Sequence, residues 1–357
     1  MTLEEWEEVL GRWAGAAGTA AMQPHEHAAS SPVPDAASAA SASRSASAEQ
    51  PAQPAMTPWL ESIEQSAMAC EFEVLLNHGQ YPQGIERARD ALRAVHALED
   101  EFSVYRPLSD FSTINRWGHQ RAVAVRYDVC RLLAVAQDVS RATGSAFDIT
   151  AGSLSEVWGF SRRQGRKPGE AELAAALERV GSDWITVDQT SSTVQLGREG
   201  VQLHPGGIGK GYALDRVATE LVDAGVMDFL LHGGRSSVAA RGARQDATAP
   251  GGWWIALAHP LRWEEKLGRV RLRNQALGTS GAGKQFFHYQ GVRYSHVIDP
   301  RTGWPAQGVL SATAICRSGT LADAAWTIPN SAAKRSAAKA PATATALVFA
   351  INLTPTA

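Results

Sequence analysis

The sequence predicts an α+β fold in which helices and short strands are mixed along the chain. Amphipathic helical segments alternate irregularly with short β-rich runs, and no segment repeats. An apolar content of 44% with 32 glycines is typical of a globular, loop-rich protein. The 357 residues suffice for one large domain or two ordinary ones, and no clear internal boundary divides residues 59–327.

The first 58 residues differ in composition from the rest. "MTLEEWEEVLGRWAG" predicts a short amphipathic helix within residues 1–22, whereas residues 23–58 are rich in Ala, Ser and Pro and predict a disordered linker. The N-terminus lacks a basic region, a continuous apolar stretch and a lipidation cysteine, and no run approaches the ~20 residues that span a bilayer. We therefore expect a cytoplasmic protein, or an exported or membrane-associated one if translation starts elsewhere.

The predicted domain, residues 59–327, begins with a strand and continues with helices. "CEFEVLLN" (70–77) is a strand candidate, and "GIERARDALRAVHALEDEFS" (84–103) has apolar residues at helical spacing. "YDVCRLLAVAQDVSRATG" (127–144) is a second helix, closed by Gly144. "EAELAAALERVG" (170–181) and "GYALDRVATELVDAG" (211–225) predict two more helices that end at glycine.

Short β-rich runs separate or follow these helices: "WITVDQ", "TVQL", "FLLH", "SSVAARG", "WWIALAHP" and "LSATAICR". Residues 328–357 are rich in Ala and Thr and poor in helix caps, so they predict an atypical, weakly ordered tail.

Charge and cysteine content exclude some classes of protein. The net charge is −2, which argues against nucleic acid as the main partner. The three cysteines form no CxxC pair and no metal-ligand spacing, and such a sparse, odd number predicts buried thiols in a reducing compartment.

The stretch "RYSHVIDPRTGWP" (293–305) places a histidine near a strand end. Residues 294–298 alternate like a strand, and Asp299, Pro300 and Gly303 are the residue types of a tight turn. His296 therefore precedes the turn, a position where reactive groups are often mounted. Taken alone, the stretch fits a satisfied surface histidine better.

Two further stretches contain candidate ligand-binding groups. "LHPGGIGKGYALDRV" (203–217) is a glycine-rich turn that leads into a helix, with Lys210 beside the helix N-terminus. It fits a phosphate or ligand contact about as well as an ordinary tight turn. "TLADAAWT" (320–327) spaces Asp323 and Thr327 at i and i+4, so that on a helix they share one face. These oxygen donors suit Mg²⁺, but an N-cap aspartate and a back-bonding threonine fit as well.

Three remaining stretches are weaker signals. Phe147 and Asp148 could contact a flat heterocycle, although core packing with a capping aspartate fits that stretch better. Residues 99–116 predict a polar loop that contains Tyr105. Residues 277–287 are a turn-rich run.

Taken in order, these motifs resemble the FAD:protein FMN transferases, the ApbE family, over about residues 66–327. The motifs that carry the resemblance are Met68, Phe102–Tyr105, Ala146–Thr150, Trp158–Phe160, Gly206–Tyr212 with Asp215, Gly233–Gly234, Thr279–Gly281, Tyr294–Gly303, and Asp323 with Thr327.

The resemblance implies a mixed α/β, T-fold-like flavin transferase domain that binds FAD and Mg²⁺, with Mn²⁺ as an alternative. It implies transfer of FMN from FAD to a Ser or Thr hydroxyl of an acceptor protein, with release of AMP, and it assigns His296 as the catalytic residue. The implied metal ligands are Gly207 through its carbonyl, Asp323 and Thr327. The implied FAD-binding residues are Met68, Tyr105, Ala146, Phe147, Asp148, His204, Lys210 and Ile298.

After Thr327 the sequence shows no sign of the helix and strand expected of the family, and the chain departs from the family pattern at three further places, which bear on affinity and activity more than on fold. Met68-Ala69-Cys70 replaces Met-Gly-Thr, His204 replaces an aspartate, and Arg235 follows Gly233-Gly234 where an aspartate is usual. Two other functions stay open at this point: a flavin-binding carrier or sensor without transferase activity, and an FAD pyrophosphatase.

Overall fold

A computed structural model describes residues 60–245, 251–262, 264–281, 285–307, 309–326 and 347–352. The predicted N-terminal helix and linker, residues 1–58, lie outside the described residues, as does the candidate metal ligand Thr327. Among the described helices, none combines the length and the apolar character that a membrane span requires.

A seven-stranded antiparallel sheet forms the centre of the fold, with strand order β1-β2-β6-β7-β10-β13-β14. Its strands are β1 (Leu60–Ala67), β2 (Cys70–Asn77), β6 (Phe229–Gly233), β7 (Ser237–Arg241), β10 (Gln275–Gly281), β13 (Val309–Cys316) and β14 (Leu347–Asn352). Strand β2 has the predicted bounds, and it buries Phe72, Val74 and Leu76 completely because alternate side chains point to one face.

Three smaller sheets surround the central one. The strands β3 (Val123–Ala124), β5 (Thr193–Leu196) and β4 (Ile185–Asp188) form one of them. The pair β8 (Trp253–Ala258) and β9 (Lys266–Leu272) forms the second, and β11 (Phe286–Tyr289) with β12 (Val292–Ser295) forms the third.

Seven helices are described: α1 (Gly84–Phe102), α2 (Asp110–Trp117), α3 (Tyr127–Ala142), α4 (Gly152–Val157), α5 (Glu170–Leu177), α6 (Gly209–Asp223) and α7 (Gly319–Trp326). The four predicted helices correspond to α1, α3, α5 and α6, with ends that shift by a few residues. Helix α1 buries Ala88, Leu92, Val95 and Leu98 because they recur along one stripe of the helix.

The central sheet has different partners on its two faces. Ala239 of β7 belongs to the main core together with buried residues of α1 and α6, whereas its neighbours Val238 and Ala240 pack with Trp253 and Val270 of the β8–β9 ribbon. Alternate residues of one strand therefore serve two cores, as the period of a strand requires.

The structure differs from the sequence-based expectation in two loops. Part of the predicted polar loop 99–116 is helix α2, which Ser109 caps by accepting a hydrogen bond from the Ser112 amide at 3.0 Å. Part of the predicted turn-rich run 277–287 is strand β10, which pairs with both β7 and β13. Glycine, which occurs twice in β10, is depleted in strands, so this pairing rather than local preference makes β10 a strand.

The predicted boundary at residue 327 also changes. Within the predicted tail, residues 328–357, the strand β14 (Leu347–Asn352) pairs antiparallel with β13. The central sheet therefore extends beyond the predicted end of the domain. Helix caps carry no information about strands, so their scarcity in this segment could not indicate β14, whose partner β13 lies more than thirty residues away in the sequence.

All three cysteines are free thiols. Cys130 is buried as expected, whereas Cys70 and Cys316 are only partly buried.

Candidate active site

A cleft of about 1280 Å³ collects most of the predicted site residues. This volume exceeds the range of about 300–1,000 Å³ that holds ordinary small ligands, so the cleft has room for a dinucleotide. Met68 and Asp323 do not line it. The predicted residues that do are Tyr105, Ala146, Phe147, Asp148, His204, Gly207, Lys210, His296 and Ile298.

His296 lies just beyond strand β12, where the chain leaves the β11–β12 ribbon. Its amide donates to the Gln285 carbonyl at 3.2 Å, and its ring nitrogen Nδ1 lies 3.1 Å from the same oxygen. A carbonyl can only accept, so Nδ1 carries the proton and Nε2 of the neutral ring is left with its lone pair. Burial lowers the pKa of His296, the Gln285 carbonyl partly offsets this, and the nearby Lys210 charge lowers the pKa further. The ring is therefore neutral at neutral pH and can accept a proton.

The turn after His296 is held by its own residues. Asp299 accepts from the Arg301 amide at 3.0 Å and pairs with the Arg301 guanidinium at 2.6 Å. Gly303 has φ of +74°, and its carbonyl accepts from the Trp158 indole at 2.8 Å. Ile298 forms a bridge with Pro305, which closes the turn. The sequence signal for a tight turn is thus confirmed, and it fixes the segment that carries His296.

The glycine-rich segment forms a short 3₁₀ helix, Pro205–Gly207, immediately before α6. His204 precedes it and accepts the Gly206 amide proton on Nδ1 at 3.1 Å, so the neutral ring carries its proton on Nε2. Burial lowers the pKa of His204. Lys210, in the first turn of α6, donates to Ser236 at 3.3 Å. This corner of the cleft therefore presents a lysine beside a helix N-terminus, which favours an anion.

Helices α6 and α7 approach each other closely at Gly211 and Gly319. A Cβ added at Gly211 would lie 2.0 Å from the Gly319 carbonyl oxygen, so only glycine fits there without a shift. Asp215 of α6 accepts from the amides of Gly319 and Thr320 at 2.7 and 2.9 Å and thereby caps α7. The aspartate that follows the glycine motif thus has a structural role.

Asp323 lies in this helix crossing and is fully buried. Its two carboxylate oxygens accept from the Gly211 amide and the Ser237 hydroxyl, both at 2.7 Å. In a continuous helix the Gly211 amide would bond the Gly207 carbonyl, but here Asp323 takes that proton. No described residue donates a hydrogen bond to the Gly207 carbonyl.

The two described candidate metal ligands therefore fit a hard cation in part. The Gly207 carbonyl, to which no described residue donates, lies one turn before the Gly211 amide that bonds the Asp323 carboxylate, and both groups offer oxygen atoms of the type that Mg²⁺ prefers. Within the described ranges, no three His, Cys, Asp or Glu residues form a cluster that could hold a metal. A metal site within these ranges would thus combine at most two such side chains with carbonyl, hydroxyl or substrate oxygens.

Asp148 reaches the cleft, but its oxygens bond mainly to the chain. They accept from the Thr150 amide and hydroxyl, the Ser182 amide and the Ser140 hydroxyl at 2.6–3.2 Å. These bonds hold together the segment that positions Ala146 and Phe147, which are both buried. The capping aspartate expected from the residues alone is not confirmed, because neither α4 nor the 3₁₀ helix Ser182–Trp184 has a side-chain cap hydrogen bond. The contact of Asp148 with a flavin stays a prediction.

Met68 lies in the two-residue turn between β1 and β2 rather than in the cleft wall. Both Met68 and Ala69 have positive φ, at 51° and 57°, and the Met68 amide donates to Glu99 at 2.9 Å. Two non-glycine residues in this conformation are unfavourable, and such positions tend to occur at functional sites.

Several cleft residues were not identified as site residues from the sequence. The wall opposite the helices comes partly from Ile255 and Leu257 of β8, and no local motif marks these side chains. Ser236, Thr279 and Thr313 contribute hydroxyl groups, and Thr279 lies 2.9 Å from Thr313. Thr279 alone belonged to a motif of the sequence analysis. The others become neighbours only when the central sheet is formed.

Comparisons with known proteins agree with one family. A family model described as the ApbE family matches residues 68–346. The chain is 33% identical to a FAD:protein FMN transferase of Rhodobacter capsulatus over 203 residues, which is 56% of this chain and 37% of that protein. It is 27% identical to a FAD:protein FMN transferase of Klebsiella pneumoniae over 241 residues, 67% of this chain and 73% of that protein. The chain thus spans little more than a third of the first of these relatives.

Solved structures show the same fold. The ApbE protein of Thermotoga maritima superimposes with a TM-score of 0.72 at 26% identity, and the match covers 82% of this chain and 94% of that one. The flavin transferase ApbE of Vibrio cholerae gives a TM-score of 0.70 at 24% identity, over 83% of this chain and 94% of that one.

Proposed function

This chain belongs to the ApbE family, and from that premise we propose that it is a FAD:protein FMN transferase. In the proposed reaction a Ser or Thr hydroxyl of an acceptor protein attacks the FMN phosphorus of FAD. A phosphoester forms between FMN and the acceptor, the bond to the AMP oxygen breaks, and AMP leaves. The observation that carries this proposal is the neutral His296 in the wall of a cleft of dinucleotide size.

His296 supplies the base in this scheme. A hydroxyl is a weak nucleophile unless a neighbouring group accepts its proton as the new bond forms. The Gln285 carbonyl orients the ring and holds the proton on Nδ1, so Nε2 is the atom that receives the hydroxyl proton. A pKa lowered by burial keeps that atom unprotonated at neutral pH.

Lys210 and the start of α6 counter the charge of the pyrophosphate. Phosphoryl transfer depends mainly on positioning and on screening of oxygen charge, and an ammonium group beside helix amides provides both. The bond between Lys210 and Ser236 keeps the ammonium at one corner of the cleft. The proposed FAD contacts of Tyr105, Ala146, Phe147, Asp148, His204 and Ile298 are compatible with their place in the lining. Met68 would contact FAD only from its turn outside this lining.

We include Mg²⁺, or Mn²⁺ in its place, in the proposal. The Gly207 carbonyl, Asp323 and Thr327 would hold it, and the bound cation would neutralise and polarise the pyrophosphate oxygens. This assignment is supported by the Gly207 carbonyl, to which no described residue donates, and by the bond of Asp323 to the Gly211 amide one turn later.

The test is incubation of the protein with FAD, Mg²⁺ and a candidate acceptor protein. Intact-mass analysis of the acceptor and chromatography of the nucleotides then identify the products. Acceptor that gains one FMN group, with an equal amount of AMP, supports the proposal. FMN and AMP without modified acceptor would indicate an FAD pyrophosphatase, and unchanged FAD that stays bound would indicate a carrier or sensor.

A further inference from the structure

The loop of residues 161–168, "SRRQGRKP", concentrates positive charge beside the cleft. Arg162 and Arg166 have carboxylate partners, Glu156 at 3.6 Å and Glu172 within hydrogen-bond distance. Among the residues that the structure describes, no carboxylate lies within 4.0 Å of the cationic groups of Arg163 or Lys167. The loop, called here the basic loop, therefore presents two cations that no described acid neutralises.

The basic loop is held in a defined conformation. The Gln164 amide bonds the Gly159 carbonyl at 2.9 Å, and the Arg166 amide bonds the Trp158 carbonyl at 3.0 Å. A Cβ added at Gly165 would lie 2.3 Å from the Phe287 ring, so the loop packs directly on strand β11. Its charges are thus fixed relative to the β11–β12 ribbon.

Exposed apolar side chains continue this surface from the basic loop across the ribbon. Phe286, Tyr289, Val292 and Trp304 are each 40–43% exposed. The Lys167 ammonium lies 5.5 Å from the centre of the Tyr289 ring and 5.8 Å from that of Trp304. Aromatic side chains and Arg are enriched in protein interfaces, and a cation near an aromatic ring is attracted to the face of that ring. We call these four residues and the basic loop the loop–ribbon surface.

The loop–ribbon surface leads directly to the catalytic histidine. Ser161 and Arg163 line the cleft. The Gln285 side chain donates to the Phe160 carbonyl at 3.0 Å, and the Gln285 carbonyl orients His296. A peptide that binds along this surface would therefore reach the opening of the cleft near His296.

We propose that the loop–ribbon surface binds an acidic, extended segment of the acceptor protein and thereby brings the acceptor hydroxyl to His296. The inference rests on the proposed function, because only a protein acceptor needs such a surface. Charge complementarity selects the occupant: Arg163 and Lys167 favour Asp and Glu side chains, while Tyr289 and Trp304 supply apolar contact. The whole chain has a net charge of −2, so this attraction is local rather than a property of the molecule.

The experiment compares two synthetic fluorescent peptides with the full-length protein. Each carries one threonine; one has Asp and Glu around it, and the other has Asn and Gln at the same positions. Fluorescence anisotropy gives the dissociation constant of each peptide for the wild type, Lys167→Glu and Arg121→Glu, in the presence of FAD and a chelator that removes Mg²⁺ and so prevents transfer. Arg121 is also exposed, and no ion pair within the described ranges involves it, so its reversal changes the net charge by the same amount outside the loop–ribbon surface.

We expect the wild type to bind the acidic peptide more tightly than the neutral one. Lys167→Glu should weaken binding of the acidic peptide by about 5–10-fold, the effect of losing and then reversing one surface charge pair. Arg121→Glu should leave it unchanged, and the affinity for FAD, titrated separately, should be the same in all three proteins. High salt should reduce the preference for the acidic peptide.

Two results would overturn the inference. One is equal affinity of the wild type for both peptides. The other is an equal loss of peptide and FAD affinity in Lys167→Glu, which would assign the cation to the nucleotide. Since binding is measured without turnover, a protein that binds the acidic peptide but never modifies any acceptor would refute the proposed function and leave the surface supported.

Discussion

Replacement of Gly211 by alanine tests the helix crossing that holds Asp323 beside the glycine-rich segment. The added Cβ would stand 2.0 Å from the Gly319 carbonyl oxygen, and real Cβ atoms keep at least 3.0 Å from such a neighbour, so α6 and α7 must separate by about 1 Å or more. Overpacking of this kind costs about 1–3 kcal/mol. The same shift weakens the bond from the Gly211 amide to Asp323, a charged hydrogen bond worth about 1.5–3 kcal/mol when intact.

Alanine in a helix recovers about 1 kcal/mol relative to glycine. We therefore expect Gly211→Ala to lower the free energy of unfolding by about 3 kcal/mol, the balance of these contributions. The assay is urea unfolding followed by circular dichroism. Gly209→Ala is the matched control in the same helix, because its nearest added contacts, at 3.3 and 3.9 Å, are almost ordinary. If both variants have the same unfolding midpoint, the crossing is not as tight as described.

Three further predictions follow from individual side chains. His296→Ala should lower kcat by about 10²–10⁴-fold with little change in FAD affinity. Because burial lowers the pKa of His296, the acidic limb of the wild-type pH–rate profile should have its midpoint below pH 6.5, the ordinary histidine value. Unchanged turnover in the variant, or a midpoint above pH 6.5, would contradict the role of His296 as base. Asp323→Asn should slow transfer and raise the Mg²⁺ concentration that gives the half-maximal rate, since the amide loses the charge that a hard cation needs. Identical Mg²⁺ titrations of both proteins at saturating FAD would mean that Asp323 binds no metal and acts through its hydrogen bonds with Gly211 and Ser237. Burial, partly offset by Arg126, raises the pKa of Glu101 from 4.5 to about 7. The folded protein therefore binds a proton more tightly there than the unfolded chain, and this stabilisation is complete below pH 4.5 and lost as the pH rises through about 7. Relative to Glu101→Gln, the wild type should lose up to about 3 kcal/mol of unfolding free energy between these limits, and parallel pH profiles of the two proteins would refute the shift.

The elements that were predicted well are those that local pattern determines. The burial of strand β2 alternates from Glu71 to Leu76, and helices α1 and α3 carry long apolar stripes, so the chain's own periodicity suffices to identify them. Strand β10 carries no such pattern, and its pairing depends on neighbours that are distant in sequence. Strand β14 does contain a short apolar run typical of a strand, but it lies within a tail whose overall composition is rich in Ala and Thr. Helix α2 is short, and its start signal, a serine cap, is equally typical of a turn, so the sequence does not predict it.

The site residues divide in the same way, into those that a local motif marks and those that only the fold brings together. The residues that belong to compact motifs, such as His296 and Lys210, were identified and do line one cleft. Ile255 and Leu257 were not, because a ribbon of the β8–β9 sheet brings them to the cleft. Asp323 was identified, but its two internal hydrogen bonds could not be foreseen, since both partners come from other elements.

The most direct test of the central claim is the fate of oxygen during turnover in water enriched in the heavy oxygen isotope. If the acceptor hydroxyl attacks the FMN phosphorus with His296 as base, the acceptor-bound FMN and the released AMP both contain only the natural isotope. His296→Ala should then form both products more slowly and to the same extent as each other. Heavy oxygen in free FMN or in AMP, with unmodified acceptor, would mean that water is the nucleophile and would contradict the transferase account.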